Sequence, residues 1–264
     1  TAEGTTTLKP YARDNVGNQT VNPESYTVRI DTTPPTISVN LSDSSDTSRK
    51  YEGDWVKNNV KAVIDFADST SGINSTTIEI TDEFKGKEEK VDFTTGEHDL
   101  QKFFVLKEEG IHKIKAYVKD YAGNPQTTET YEIKIDKKEI AEDDVKLSTE
   151  FMTEEIENNN TVINNSERFG GNLKTFIVNV EKEAANASKP NTVEISLDGK
   201  KNIYNLTAKS DNSGYEYRLD VSGLAEKLYE FEVNVIDEAG NGMTSTVKQN
   251  VTIDRTAMVP TAEG

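Results

Sequence analysis

The stretch YVKDYAGN at residues 117–124 decides the fold of this chain, because near copies of it recur close to both ends. The copies read YARDNVGN at residues 11–18 and NVIDEAGN at residues 234–241. The aspartates of the three copies lie 106 and 117 residues apart. A self-similar pattern at a long, nearly constant interval is typical of an array of like domains. We therefore expect one domain type to be repeated along the chain.

A second landmark follows each copy at a fixed distance. A strand-like run closes on the dipeptide Ile-Asp, 17, 16 and 17 residues after the aspartate of the turn. The three dipeptides are Ile30-Asp31, Ile135-Asp136 and Ile253-Asp254. Two landmarks with a constant internal spacing are more specific than one acidic turn. They indicate that each repeat ends in the same pair of strands.

The residues ahead of each turn alternate between apolar and polar with a period of two, which predicts half-buried β-strands. The predicted inward sets are His112, Ile114, Ala116, Val118 and, one repeat later, Tyr229, Phe231, Val233, Val235. The runs after the turns also alternate. Each repeat is therefore predicted to end in a β-hairpin, with the Gly and Asn of the turn at positive φ.

Further short apolar runs, separated by turn residues, predict about seven strands in each unit of roughly 105–118 residues. This pattern favours an all-β fold of tandem immunoglobulin-like β-sandwich domains, which we expect to form a rod. The predicted domains are a C-terminal hairpin of a truncated domain (1–31), two full domains (32–136 and 137–254) and a linker to a following repeat (255–264).

Composition limits the function classes. The chain has 264 residues and a formal charge of −17, which repels the phosphates of nucleic acid. Only 33% of its residues are apolar, which predicts thin cores. It has no cysteine, so we expect a protein that either stays inside a cell or is exported without disulfides. No run of 18 apolar residues occurs, so we expect no membrane insertion by this segment.

The turn and linker motifs resemble bacterial immunoglobulin-like repeats of large surface proteins. The resemblance rests on the D-x-[AV]-G-N turn and on an I-D-x-T-x-P linker, clearest at residues 30–35. It implies a stalk or spacer of an adhesin, cell-wall or S-layer protein, located outside the cell, with neighbouring repeats as partners. It also implies Ca²⁺ at domain junctions, because some adhesin arrays are stiffened in that way.

The sandwich topology brings three acidic segments together where the chain enters each domain. Calcium is bound by six to eight oxygens from carboxylates, amides, backbone and water, and these segments supply such groups. The ligands predicted at the first junction are Asp31, Asp65, Asp68, Asp120 and Asn124. The weaker second junction offers Asp136, Asp237 and Asn241, with Glu181 and Glu183 nearby. The alternative is that these residues serve only backbone geometry, through side-chain hydrogen bonds within turns.

Catalysis is not expected. The chain has two histidines and lacks the nucleophile, phosphate and dinucleotide motifs of common enzymes, and His112 lies on a predicted inward face. Two other functions stay open beside the spacer. The chain could be a binding module for a glycan or host protein, using Trp55, Tyr215, Tyr217 or Tyr229, or a subunit of a self-assembling lattice or filament that packs through residues 1–31.

Overall fold

The structure is a computed structural model that describes residues 3–21, 23–151, 161–162, 168–170, 173–182 and 187–254. The predicted linker at 255–264 and Glu183 lie outside the described residues. The chain divides into two compact units. Unit 1 holds the described residues up to Gly53 together with Asn59–Ile133, and unit 2 holds Asp54–Asn58 and the described residues from Lys134 onward.

Unit 1 combines a two-stranded ribbon with a two-sheet sandwich. The ribbon pairs β1 (Gly4–Leu8) with β2 (Tyr26–Ile30) in antiparallel fashion. The strands of the sandwich are β3 (Thr36–Asp43), β4 (Val60–Ala67), β5 (Ile73–Phe84), β6 (Lys87–Lys90), β7 (Thr94–Thr95), β8 (Gln101–Leu106), β9 (Gly110–Asp120), β10 (Pro125–Thr127) and β11 (Tyr131–Ile135). The last two residues of β11 are counted with unit 2. One sheet has the order β3-β4-β8-β7 and the other β10-β9-β5-β6, with β11 also paired to β9.

Unit 2 repeats the two-sheet plan. Its strands are β12 (Val145–Phe151), β13 (Thr161–Val162), β14 (Arg168–Gly170), β15 (Leu173–Glu181), β16 (Pro190–Leu197), β17 (Lys200–Asn205), β18 (Thr207–Ala208), β19 (Gly214–Asp220), β20 (Lys227–Asp237) and β21 (Val247–Ile253). The sheet orders are β13-β12-β15-β19-β18 and β14-β21-β20-β16-β17. A single turn of 3₁₀ helix, Glu142–Asp144, precedes β12.

The all-β immunoglobulin-like prediction is confirmed, and the alternation explains the cores. In β9 every second side chain is buried, from Gly110 through Val118 to Asp120. In β20 the buried side chains of Tyr229, Phe231, Val233 and Val235 face the other sheet of unit 2. Phe231 stacks on Phe176 of β15 with ring centroids 4.2 Å apart, which joins the two sheets through their largest buried side chains.

The ribbon departs from this pattern. Val28 is 37% exposed and Tyr26 54%, whereas the equivalent Ile133 of β11 is fully buried. The reason is that β1 and β2 form a sheet of their own, so no second sheet of the described chain covers their apolar face.

The prediction that both Gly and Asn of the turn adopt positive φ was half wrong. Gly17, Gly123 and Gly240 have φ of 96°, 96° and 85°, but the asparagine that follows each of them does not enter this region. The asparagines are needed for the hydrogen bonds of their side chains. In the described part of the chain, no helix has the length and apolarity needed to cross a membrane.

Candidate functional site

Two polar clusters form at equivalent places in the two units. Cluster 1 consists of Asp31, Ser71, Asp120 and Asn124, with Asp68 beside them, and lies within unit 1. Cluster 2 consists of Asp136, Ser188, Asp237 and Asn241, and lies within unit 2. Each joins the linker aspartate of an Ile-Asp dipeptide to the D-x-[AV]-G-N loop that comes about a hundred residues later. The structure thus brings together seven of the eight residues predicted for the two sites.

The loop itself is a closed turn with the same bonds in all three copies. The N–H of its aspartate donates to the carbonyl of its asparagine, at 3.0–3.2 Å, and the glycine N–H donates to the aspartate carbonyl at 3.2 Å. The aspartate carboxylate then accepts the backbone N–H of the asparagine at 2.8 Å in every copy. Positive φ at the glycine allows this tight return, which explains why glycine is kept there.

The asparagine side chain links the loop to the linker. In cluster 1 the Asn124 Nδ2 donates to Asp120 Oδ2 at 2.7 Å and to the main-chain carbonyl of Asp31 at 3.2 Å. In cluster 2 the Asn241 Nδ2 donates to Asp237 Oδ2 at 2.9 Å and to the Asp136 carbonyl at 2.9 Å. Each amide thereby uses both of its hydrogens.

The linker aspartates are held by backbone donors. Asp31 accepts the N–H of Thr33 and, through its other oxygen, the N–H of Ser71, both at 3.0 Å. Asp136 accepts the N–H of Lys138 at 3.0 Å, and Ser188 donates both its N–H and its hydroxyl at 2.7 and 2.8 Å. The two serines were missed from the sequence, because they lie in loops of different length and only the folded chain places them opposite the linker.

Asp68 distinguishes cluster 1 from cluster 2. Carboxylate oxygens of Asp31, Asp68 and Asp120 all lie within 4.8 Å of one another. In the described chain these three form no ion pair with a lysine or arginine. A cavity of ≈ 600 Å³ lies beside Asp31 and is lined in part by Ser71 and Tyr121. No comparable group of three acidic side chains forms around Asp136 and Asp237 among the residues described.

Asp120 is buried, yet it remains an anion. Burial alone raises the pKa of its carboxyl group, but the hydrogen bonds from the Asn124 side chain and backbone, and from the backbone of Gly123 and Ala122, outweigh burial and lower the pKa. A carboxylate in this setting is stabilised by its own loop.

Asp65 is the predicted ligand that the structure does not bring into cluster 1. It lies on β4 between the buried Ile64 and Phe66, so the alternation turns its side chain away from the core. Its Oδ1 accepts from Gln101 Nε2 on the neighbouring strand at 2.9 Å and lies 3.3 Å from His98 Nε2. Asp65 therefore follows the alternation of the strand and points outward, whereas Asp68 lies beyond the end of β4 and is free of that alternation.

His112 is a buried residue of the unit 1 sandwich. Its Nδ1 lies 2.6 Å from Asp82 Oδ2 and its Nε2 lies 3.0 Å from the Glu108 carbonyl, and its ring stacks on Phe84 at 4.3 Å. Both partners are acceptors, so only the imidazolium satisfies both contacts. Burial lowers the pKa of His112, but the hydrogen bonds to Asp82 and Glu108 outweigh burial and raise it.

The aromatic residues considered for ligand binding are partly or wholly used in packing. Tyr229 is buried in the core of unit 2, and Tyr215 and Tyr217 pack against that core. Tyr217 also stacks on Tyr204 with centroids 4.4 Å apart. Trp55 is half-buried.

Comparison with known families gives two matches. Residues 1–134 match the family model described as bacterial Ig-like domain (group 3), and residues 177–255 match one described as bacterial Ig-like domain. No curated protein sequence matches the chain.

Similar solved structures include tandem modules of low identity. One is a tetra-tandem repeat from the extending region of a large adhesion protein (15% identity, TM-score 0.34). The match covers 96% of this chain and 57% of that one. Another is a bacterial ice-binding adhesin (14%, TM-score 0.32, covering 96% of this chain and 75% of that one). A third comprises the fibronectin(III)-like modules of Clostridium thermocellum CbhA (10%, TM-score 0.31, covering 81% and 93%). These scores are too low to carry an argument about function.

Proposed function

The chain belongs to the bacterial Ig-like domain family, and from this membership we propose that it is a structural spacer segment of a bacterial surface protein. The observation that supports the proposal is repetition: two sandwiches each fix the linker that leads into them through the same loop. A spacer needs identical, self-contained units joined in series, because its length is then set by their number. We place the protein outside the cell on the same grounds, and catalysis remains unexpected.

Pulling on the two ends of the purified chain tests the spacer proposal. We expect two separate unfolding events, one for each unit, because each unit has its own core. Each event releases about 330–360 Å of chain per hundred residues unfolded. Force-extension curves from single molecules measure both quantities. Gradual extension at low force, without two events, would contradict a load-bearing spacer.

We further propose that cluster 1 binds Ca²⁺, as a structural cofactor. The residues present fit this ion: three carboxylates within 4.8 Å of one another, without a cationic partner in the described chain, repel one another until a divalent cation offsets their charge. Asp31, Asp68 and Asp120 would hold it. Asn124 donates through its Nδ2 to oxygen acceptors, so it would bind the ion through its Oδ1. Calcium at Asp136, Asp237 and Asn241 stays the weaker prediction from the sequence.

Calcium is expected to raise the unfolding midpoint of unit 1 and to leave that of unit 2 nearly unchanged. At a hundred times its dissociation constant, a ligand bound only to the folded state adds about 2.7 kcal/mol to the free energy of unfolding. Calorimetry in excess Ca²⁺ and in EDTA measures the difference. Asp68→Asn should abolish the shift, and Asp65→Asn, the matched control outside the cluster, should keep it. Equal shifts in the two variants, or no shift in the unaltered chain, would remove calcium from the proposal.

Two alternatives remain predictions from the sequence. A binding module for a glycan or host protein would require the half-buried Trp55 or the tyrosines that pack on unit 2 to make contacts with a ligand. A self-assembling lattice would use the exposed apolar side chains of the ribbon, such as Leu8 and Val28. Oligomeric state across a range of protein concentrations separates the lattice from the spacer.

A further inference from the structure

We propose that the D-x-[AV]-G-N loop is a socket for the linker main chain, in which the asparagine amide is the residue that positions the linker. The proposal concerns hydrogen bonds alone, and no metal ion takes part in it. Its two instances are Asn124 on the carbonyl of Asp31, and Asn241 on the carbonyl of Asp136. It adds a function to the loop that the turn geometry does not require.

The strongest support for the socket is that both units form the same contacts to the linker although their linker sequences differ. The linker aspartate spans two donors in each unit, one from the residue two positions later and one from a serine N–H. The linker sequences differ after the aspartate, with Thr-Thr-Pro-Pro in one unit and Lys-Lys-Glu-Ile in the other. The contacts common to both units therefore involve the linker backbone and its aspartate, which are the features that the socket recognises.

The chemistry of the site requires an amide at the last position of the loop. The Nδ2 group faces two acceptors, the loop carboxylate and the linker carbonyl, and it has two hydrogens to give. An aspartate at this position would place a carboxylate next to the loop carboxylate and the linker carbonyl, with no side-chain donor for either. The position is buried, since Asn241 is 6% exposed. Unpaired acceptors at such a position cost free energy and would loosen the linker.

The first copy of the loop supplies a control within the same chain. Asn18 makes the same two bonds to Asp14, at 2.8 and 2.7 Å, and its side chain is exposed. No linker carbonyl accepts from it in the described chain. Substitution at Asn18 therefore tests the loop without the socket.

Amide hydrogen exchange of the full chain, in EDTA, tests the socket. Asn241→Asp should speed exchange of the Lys138 and Ser188 N–H groups, which bind the linker aspartate, by at least about tenfold. Asn18→Asp should leave both at their original rates. If Asn241→Asp weakens folding too far, Asn124→Asp is the second variant. The bond from Asn124 to the linker carbonyl is longer and half-buried, so this variant should speed exchange of the Thr33 and Ser71 N–H groups by a smaller factor.

An exchange of partners separates the socket from a purely structural turn. In the double variant Asp237→Asn/Asn241→Asp, the loop regains an amide–carboxylate pair, but the linker carbonyl faces a carboxylate. We expect the N–H groups of Gly240 and of the aspartate at position 241 to recover slow exchange, while those of Lys138 and Ser188 stay fast. Recovery of slow exchange at Lys138 and Ser188 in this variant overturns the proposal, as do unchanged rates there in Asn241→Asp. Because no calcium is present, these outcomes are independent of the metal proposal.

Discussion

Replacing Asp237 by alanine is expected to lower the free energy of unfolding of unit 2 by about 2–4 kcal/mol, because two buried donors lose their acceptor. The donors are the backbone N–H and the Nδ2 of Asn241, which lie 2.8 and 2.9 Å from the carboxylate. The side-chain amide of Asn241 keeps its bond to the Asp136 carbonyl. The loss of free energy is therefore smaller than if all the contacts of cluster 2 were removed together.

Calorimetry of the variant and of the unaltered chain, followed through the unfolding transition of unit 2, measures this loss. The matched control is Asp14→Ala. Asp14 makes the same bonds within its loop but is exposed, so water replaces the lost acceptor and both units should unfold as before. A comparable loss from the two substitutions would show that burial of the loop is not what makes its aspartate important.

Replacing Asp82 by asparagine is expected to destabilise unit 1 by about 2–4 kcal/mol near pH 6, because the buried imidazolium of His112 loses its anionic partner. The effect should also depend on pH. The folded pKa of His112 is raised above its ordinary value of 6.5, so its stabilisation is fully present below about pH 6.5 and is lost as the pH rises through the folded pKa. Asp82→Asn should flatten this dependence.

Calorimetry between pH 5.5 and 9 checks the prediction. The surrounding charges are the carboxylate of Asp82, which also accepts the Lys113 N–H, and that of Glu108. His98, the only other histidine, is the control: His98→Gln should leave the pH dependence in place because its side chain is 57% exposed. Unit 2 contains no histidine and serves as an internal reference. A midpoint of unit 1 that does not fall on raising the pH would contradict the charged state assigned to His112.

The repeat pattern and the alternation of inward and outward side chains along each strand could be predicted from the sequence. Alternation placed Phe231 and Val118 in the cores because side chains in a strand point to opposite faces in turn. The same parity, applied to β4, would have turned Asp65 away from the junction, since Ile64 and Phe66 on either side of it are apolar. That information is present in the sequence.

What the sequence by itself determined is the fold class, the repetition and the strands, because these follow from local periodicity and from turn residues. Only the tertiary structure decided what the asparagines do. Asn241 lies 105 residues from the carbonyl that accepts from it, and Ser188 lies 52 residues from Asp136. Contacts over such separations depend on loop lengths and sheet packing, and no local pattern reports them. Hence the motif looked like a turn with a possible ion, while the folded chain shows a turn that also holds its linker.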